Sequence, residues 1–351
     1  MDLSVVVPTL NGRDQLAACL DALAVHAPDA EVIVVNGPSA DGTTGMVRER
    51  DDVDVLVEIS DRTVNVARNA GIEVATGSVV AFVDYDNRIG ASWVGALERG
   101  LERGDVVTGP IRMVPTSEGS DPTDSGDAAD VADTTDATDA ADAADTTDPA
   151  EAVDAADSGG SNGRDGRDGP ERRRIAGREV TYFAGGNVAF RRDTLRDLDG
   201  FDEYLHTGGA RDVAHRLAST DHAVVWEPEL SVLEEPADCR AADGGRDSRD
   251  WGWKYRALAY RLLKNYGIRP GVLVRTGTHA VKDAVAVARD VVRGDTTPSG
   301  WAGNGRDVVF GIATGVSDGI VARTKDRSPA RNPNGLSRRA DRAVAKYDQR
   351  E

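Results

Sequence analysis

The chain has 351 residues, enough for one large or two modest domains, and a formal net charge of −18. Its two cysteines, Cys19 and Cys239, give neither a disulfide framework nor a metal-ligand spacing, which suits a reducing compartment. No stretch of about 18 residues is free of charge, and Met1-Asp2-Leu3-Ser4 lacks a basic leader, so no transmembrane helix or signal peptide is expected.

In chain order, the first 115 residues alternate short apolar runs with helical spacing. Leu3–Val7, Glu31–Val35, Val53–Ile59 and Val79–Val83 read as strands, and Asp105–Gly109 as a further strand segment. Arg13–Val25, with Leu16, Leu20 and Leu23 on one face, reads as a helix, as do Thr43–Arg50, Thr63–Ala75 and Trp93–Leu101. Strands spaced by helices build a mainly parallel sheet, whose ligands sit beyond the carboxyl ends of the strands. Three polar turns fall there: Pro8-Thr9-Leu10-Asn11, Asn36-Gly37-Pro38-Ser39-Ala40-Asp41 and Asp84-Tyr85-Asp86.

Residues 116–169 interrupt this pattern. An acidic residue recurs at every third position from Asp121 to Asp157, with Ala, Thr, Gly and Ser between, and the stretch carries −14. Almost nothing in it can be buried, so a solvated, disordered insert is expected. Beyond it, Val180–Phe183 and Asn187–Phe190 read as strands around a Gly185-Gly186 turn, and Ala223–Trp226 as another. Asp193–Leu198 and Asp212–Ser219 read as helices, followed by helical segments at 251–266, 272–293, 307–314 and 338–347. The expected units are 1–115, the insert 116–170, then 171–250 and a basic helical region 251–351. Residues 251–351 carry +10.

In the segment 251–266, Trp251, Tyr255, Leu258, Ala259, Leu262 and Tyr266 share one helical face, with Lys254, Arg261 and Lys264 away from it. That face suits either packing on the preceding domain or lying on a membrane interface. Asp outnumbers Glu 44 to 16 and Arg outnumbers Lys 37 to 5, a balance that fits a salt-adapted protein from a GC-rich genome.

The most informative motif is Asp84-Tyr85-Asp86. Side chains two apart in a strand share a face, so the two carboxylates can converge at the end of a buried run. Such hard oxygens suit Mg²⁺ or Mn²⁺, with a substrate diphosphate filling the open positions.

Taken in order, the segments resemble the family-2 glycosyltransferases. The resemblance rests on Ser4-Val5-Val6-Val7-Pro8-Thr9-Leu10-Asn11, on the run from Val32 through Asn36-Gly37 to Asp41-Gly42-Thr43, and on Ala67-Arg68-Asn69-Ala70-Gly71. It rests also on Asp84-Tyr85-Asp86, on Gly185-Gly186-Asn187-Val188-Ala189-Phe190-Arg191-Arg192 and on Gly200-Phe201-Asp202-Glu203. It covers Leu3 to about Trp226 without the insert. It implies an α/β fold of GT-A type, with a mixed, mainly parallel sheet flanked by helices and a C-terminal helical region.

It also implies an inverting, metal-dependent transferase acting on a nucleotide-sugar donor, by default a UDP-sugar. The acceptor would be a glycan or a lipid-linked group such as a dolichyl or polyprenyl phosphate, in protein glycosylation or cell-envelope synthesis. No nucleic-acid partner is expected, and the expected location is cytoplasmic or peripheral on the cytoplasmic membrane face. Donor binding falls to Pro8, Thr9, Asn11, Asn36, Asp41, Arg68 and Asp84. The cation falls to Asp84 and Asp86, and acceptor binding to Gly186, Asn187, Arg191, Arg192 and Arg216.

Two departures stand out. Asn36-Gly37 replaces the acidic start of the family's base-binding loop. Gly209-Ala210 replaces its Glu-Asp pair, whose Asp is the general base. Asp212 or His215 can take that role, the acceptor can already be an anion, or the chain can be a sugar-nucleotide-binding scaffold without catalysis. A nucleotidyltransferase would need a Gly-rich basic loop after the first strand, which Pro8–Asn11 does not offer.

Overall fold

The computed structural model describes residues 1–113, 169–235, 251–269, 298–326 and 330–350. Its elements are β1 (Leu3–Thr9), α1 (Arg13–His26), β2 (Glu31–Asn36), α2 (Thr43–Arg48), β3 (Val55–Ile59), α3 (Val64–Val74), β4 (Val79–Val83), β5 (Asn87–Ile89), α4 (Trp93–Leu101), β6 (Val106–Thr108) and β7 (Ile111–Met113). After these come β8 (Arg172–Ile175), β9 (Arg178–Thr181), β10 (Asn187–Arg191), α5 (Arg192–Asp197), α6 (Gly209–Leu217), β11 (Val224–Trp226) and β12 (Val232–Glu234). The C-terminal part holds α7 (Trp251–Tyr266), α8 (Pro298–Lys325), a 3₁₀ turn at Leu336–Arg338 and β13 (Ala343–Asp348).

Eight strands form one sheet in the order β11-β6-β10-β4-β1-β2-β3-β13. β1, β2, β3 and β4 are mutually parallel, and β11 runs parallel to β6. β10 enters antiparallel between β4 and β6, and β13 closes the far edge antiparallel to β3. The central strands are apolar on both faces because both faces are covered. Val6, Ile33, Val35, Val57 and Phe82 pack under α3, α6 and α7. Val5, Val7, Val34 and Val83 pack under α1 and α4. Burying each such side chain contributes about 1.5–3 kcal/mol.

Several expectations need correction. Arg178–Thr181 pairs with β8 rather than with β10, so Gly185-Gly186 is a crossing and not a hairpin turn. The expected helix at 338–347 is a 3₁₀ turn followed by β13, which satisfies the open edge of β3. The expected helix 307–314 is part of the much longer α8. The expected helix 272–293 and the insert lie outside the described residues.

Of the two readings of 251–266, packing on the preceding domain holds, and the basic residues join that core. Tyr255, Leu258, Ala259, Leu262 and Tyr266 are buried, but so are Arg261 and Lys264 on the opposite side. α7 is a core helix enclosed by α8 and the sheet domain, so that face is not available to a bilayer. α8 approaches it through glycines four residues apart: a Cβ on Gly311 would lie 2.1 Å from Gly252 O and one on Gly315 2.3 Å from Arg256 O. Among the described residues, no helix is long and apolar enough to cross a membrane.

Candidate active site

The sheet order reverses between β1 and β4, and the carboxyl ends of the parallel strands open into a cleft of about 640 Å³. β1 delivers Pro8 and Thr9, the turn after β3 delivers Asp61, and β4 delivers Asp84 and Asp86. The opposite wall is Gly185-Gly186, then His206 through Ala210.

Asp84 and Asp86 leave β4 in a tight turn, in which Asn87 N donates to Asp84 O at 2.9 Å. Arg68, on α3, donates to Asp84 Oδ1 at 3.3 Å, and its guanidinium lies 5.3 Å from the Phe201 ring centre. Gly185 and Gly186 cross directly over this pair. A Cβ on Gly185 would lie 2.6 Å from the Arg68 guanidinium, and one on Gly186 2.1 Å from Asp84 Oδ2. A side chain at either place would displace the Arg68 guanidinium or the Asp84 carboxylate.

Asp86 is 7% exposed. Burial pushes its carboxyl up to about 7, and the neighbouring charges of Asp84 and Glu234 add to the rise. Three carboxyls crowded at one end of a cleft are relieved by a cation. The donor chemistry, all hard oxygen, fits Mg²⁺ or Mn²⁺. Among the described residues, no group of three His, Cys, Asp or Glu side chains could itself hold a metal ion. A cation on Asp84 and Asp86 would therefore complete its shell from a bound diphosphate and water.

The expected donor-binding residues divide. Pro8 and Thr9 line the cleft, and Thr9 Oγ1 is buried without a hydrogen-bond partner among the described residues. Asn11, Asn36 and Asp41 instead brace the two loops against each other. Asn11 N donates to Ser39 Oγ and Ala40 N to Asn11 Oδ1, each at 2.9 Å. The buried Asn36 accepts from Ser39 Oγ and donates to Thr44 Oγ1. Asp41 accepts from Gly12 N at 2.7 Å and Arg13 N at 3.0 Å at the start of α1, and from Thr43 N at 3.1 Å at the start of α2. Burial raises its carboxyl, but these bonds outweigh that and hold it near about 2.

The expected acceptor-binding residues fare worse. Gly186 lines the cleft. Asn187 is a core brace, accepting from Trp93 Nε1 at 3.1 Å and donating to Leu230 O at 2.7 Å. Because β10 runs antiparallel, Arg191 pairs with Val79 at the start of β4, and Arg192 bonds Thr76 O and Ser78 O. Both stand at the end of the strands opposite the cleft.

Arg216 and Asp212 are wholly buried and bonded to each other at 2.8 Å. Lys264 of α7 donates to Asp212 and Asp202 at 2.7 Å each, and Asn265 to Asp212 at 2.9 Å. Burial opposes ionisation of Asp212, yet Lys264 and Arg216 hold its carboxyl well below the usual range. A carboxylate so paired and enclosed cannot take a proton from an acceptor in the cleft. His215 is likewise buried between Tyr182 and Tyr266. Gly209-Ala210 do face the cleft at the N-terminus of α6, and they carry no base.

Sequence reasoning missed Asp61, His206 and Glu234, all at the cleft. Asp61 follows a parallel strand directly, so its position alone could have flagged it. β12, which carries Glu234, has three residues, too few for a periodic signal.

The model of glycosyl transferase family 2 matches residues 4–199. Glycosyltransferase AglE of Haloferax volcanii is 34% identical over 106 residues, 28% of this chain and 34% of that protein. The poly(ribitol-phosphate) beta-glucosyltransferase of Bacillus spizizenii is 32% identical over 99 residues, 26% of this chain and 16% of that protein. The chain thus matches about a third or less of the length of either relative. S. aureus TarS 1–349, solved with UDP-GlcNAc, superposes with a TM-score of 0.50 at 14% identity, covering 93% of this chain and 91% of that one. That is a likeness of fold, the GT-A arrangement of a mixed, mainly parallel sheet flanked by helices.

Proposed function

The chain belongs to glycosyl transferase family 2, and on that premise we propose that it moves a sugar from a nucleotide-sugar donor to a phosphate-bearing lipid acceptor with inversion. The observation that carries this reading is the convergence of Asp84, Asp86 and Arg68 at the switch point of the sheet. A divalent cation on Asp84 and Asp86 would neutralise the departing diphosphate. Arg68 adds a fixed positive charge beside it, preorganised by α3 and the Phe201 ring. Buried and braced, it needs little reorganisation during the reaction.

The acceptor wall supports the second half of the reading. Removing a proton from a neutral hydroxyl calls for a base, worth about 10²–10⁴ in rate. Gly209-Ala210 supply none, Asp212 is locked to Lys264 and Arg216, and His206 on the same wall lies against the Trp253 ring, 4.2 Å between ring centres. An acceptor phosphate, with a second pKa near ~6, is already ionised at neutral pH. The backbone N–H groups at the start of α6 present partial positive charge towards such an anion. Both relatives described above carry glycosyltransferase names, which fits sugar transfer. UDP-sugars are the first donors to try.

The test compares a polyprenyl phosphate with a neutral sugar as acceptor, across a panel of nucleotide sugars with Mn²⁺. Transfer to the phosphate, slowing as pH falls through about 6, supports the proposal. Transfer only to the neutral hydroxyl contradicts it. The lack of carboxylates at Gly209-Ala210 also favours a donor-binding scaffold without catalysis, which predicts donor binding but no turnover with either acceptor.

A further inference from the structure

Four arginines from four segments gather around the C-terminal end of α7. That helix ends at Tyr266, and Gly267 follows in the left-handed region, its N–H donating to Leu263 O at 2.8 Å. Arg323 of α8 lies over Gly267, where a Cβ would stand 3.0 Å from the Arg323 Nε. Its Nη1 donates to Lys264 O and Asn265 O at 3.0 Å each. Arg331 of the tail donates to Arg323 O at 3.4 Å and to Asp326 O at 3.0 Å. Arg178 of β9 lies 5.9 Å from the Tyr266 ring centre. Arg269, just past α7, donates to Ala176 O between β8 and β9 at 3.3 Å.

The chain has 60 Asp and Glu against 42 Lys and Arg, so a carboxylate is easily found. Arg50, Arg173 and Arg342, for example, each hold one. The four arginines around α7 hold none among the described residues, and Arg269, Arg323 and Arg331 bond backbone carbonyls instead. The acidic side chains beside them turn elsewhere, Glu179 to Arg172 at 4.0 Å and Asp326 to Asn332 N. The negative end of α7 offsets about half an elementary charge, too little for four guanidiniums. The excess is felt at Arg323, whose pKa is lowered by burial and then by the charges of Arg331, Arg269 and Arg178.

We propose that Arg178, Arg269, Arg323 and Arg331 form a binding site for a phosphate-bearing anion, separate from the cleft, which none of them lines. Guanidiniums present forked N–H donors that match phosphate oxygens in pairs. A phosphate monoester, with a second pKa near ~6, is close to a dianion at neutral pH, so it relieves the repulsion of such a cluster more than one carboxylate does. Arg178 and Arg269 are exposed and leave the site open to solvent, while Arg323 and Arg331 are half-buried and fixed by the carbonyls they bond. A free phosphate and the phosphate of a lipid headgroup would be held by the same contacts. Either would tie β9, the end of α7, α8 and the tail together. The site uses no residue of the cleft, so it stands independently of the donor and acceptor reading.

The test is calorimetric titration of the full chain with inorganic pyrophosphate, in chelator so that no cation bridges the anion to Asp84 and Asp86. In parallel the chain is sedimented with vesicles of equal parts phosphatidylcholine and phosphatidic acid, and with phosphatidylcholine alone. The variants are Arg178→Gln with Arg269→Gln, and Arg178→Lys with Arg269→Lys, with thermal melts to confirm folding. Wild type should bind pyrophosphate, the acidic vesicles or both, less tightly as salt is added, and should ignore phosphatidylcholine alone. The glutamine pair should lose at least about tenfold in affinity, and the lysine pair should recover part of it. Pyrophosphate binding without vesicle binding assigns the site to a free anion, and vesicle binding alone assigns it to a headgroup. Binding of neither probe, equal binding by the folded glutamine pair, or equal binding to neutral vesicles overturns the proposal.

Discussion

Asp86 sits buried beside two like charges, Asp84 and Glu234, and that placement ties function to stability. Replacing it by Asn removes the repulsion. In cation-free buffer Asp86→Asn should therefore melt higher than wild type, by roughly 1–3 kcal/mol of stability, while losing cation-dependent transfer. A lower melting temperature with intact transfer would contradict both parts. Asp212 behaves oppositely. Its carboxyl is held below the usual range, so it contributes stability above the unfolded value near ~4, and that contribution is lost as pH falls below it. Lys264→Met would leave Asp202 and Asp212 buried without their ammonium, at a cost of about 3–5 kcal/mol in urea unfolding. Asp84 and Asp86 were legible in sequence because a buried apolar run leads straight into them. The role of Asp212 was not, because its partner Lys264 lies on a helix 52 positions later and no local pattern joins the two.

At the scale of elements, the parallel core was readable from β-branched runs alternating with helical spacing, and Trp93–Leu101 and 251–266 fall where they were expected. What local pattern could not supply was pairing. β13 is a strand because β3 has a free edge, and β5, β7 and β12 are too short to show a period. α7 looked amphipathic because its basic side chains were counted as solvated, whereas Lys264 finds carboxylates inside the core. The α7–α8 approach depends on glycine. Gly315→Ala would place a methyl 2.3 Å from Arg256 O and force the helices apart. It should destabilise the chain by about 1–3 kcal/mol, although alanine is the better helix former by about 1 kcal/mol. Unchanged or raised stability on denaturation would show that the helices do not pack this closely.

In the whole molecule, the C-terminal part closes the catalytic domain rather than following it. Buried Arg342 binds Glu73 of α3 and Glu203 of the loop between α5 and α6, and Asn334 donates to Asp202 at 3.0 Å. α7 supplies Tyr255, Leu258 and Leu262 to the same core as Val6 and Phe82. A chain ending at residue 250 should thus lose cooperative unfolding, whereas replacing residues 118–168 with a short Gly-Ser linker should leave it intact, since that composition offers little to bury. The account as a whole stands on the cleft at Asp84 and Asp86 being a cation-assisted nucleotide site. The most direct measurement is the affinity of the full chain for UDP and GDP with Mn²⁺ and with chelator, in wild type and Asp84→Asn. The account predicts binding that needs the cation and weakens by at least about tenfold in the variant. Equal affinity in chelator, or an unaffected variant, would contradict it.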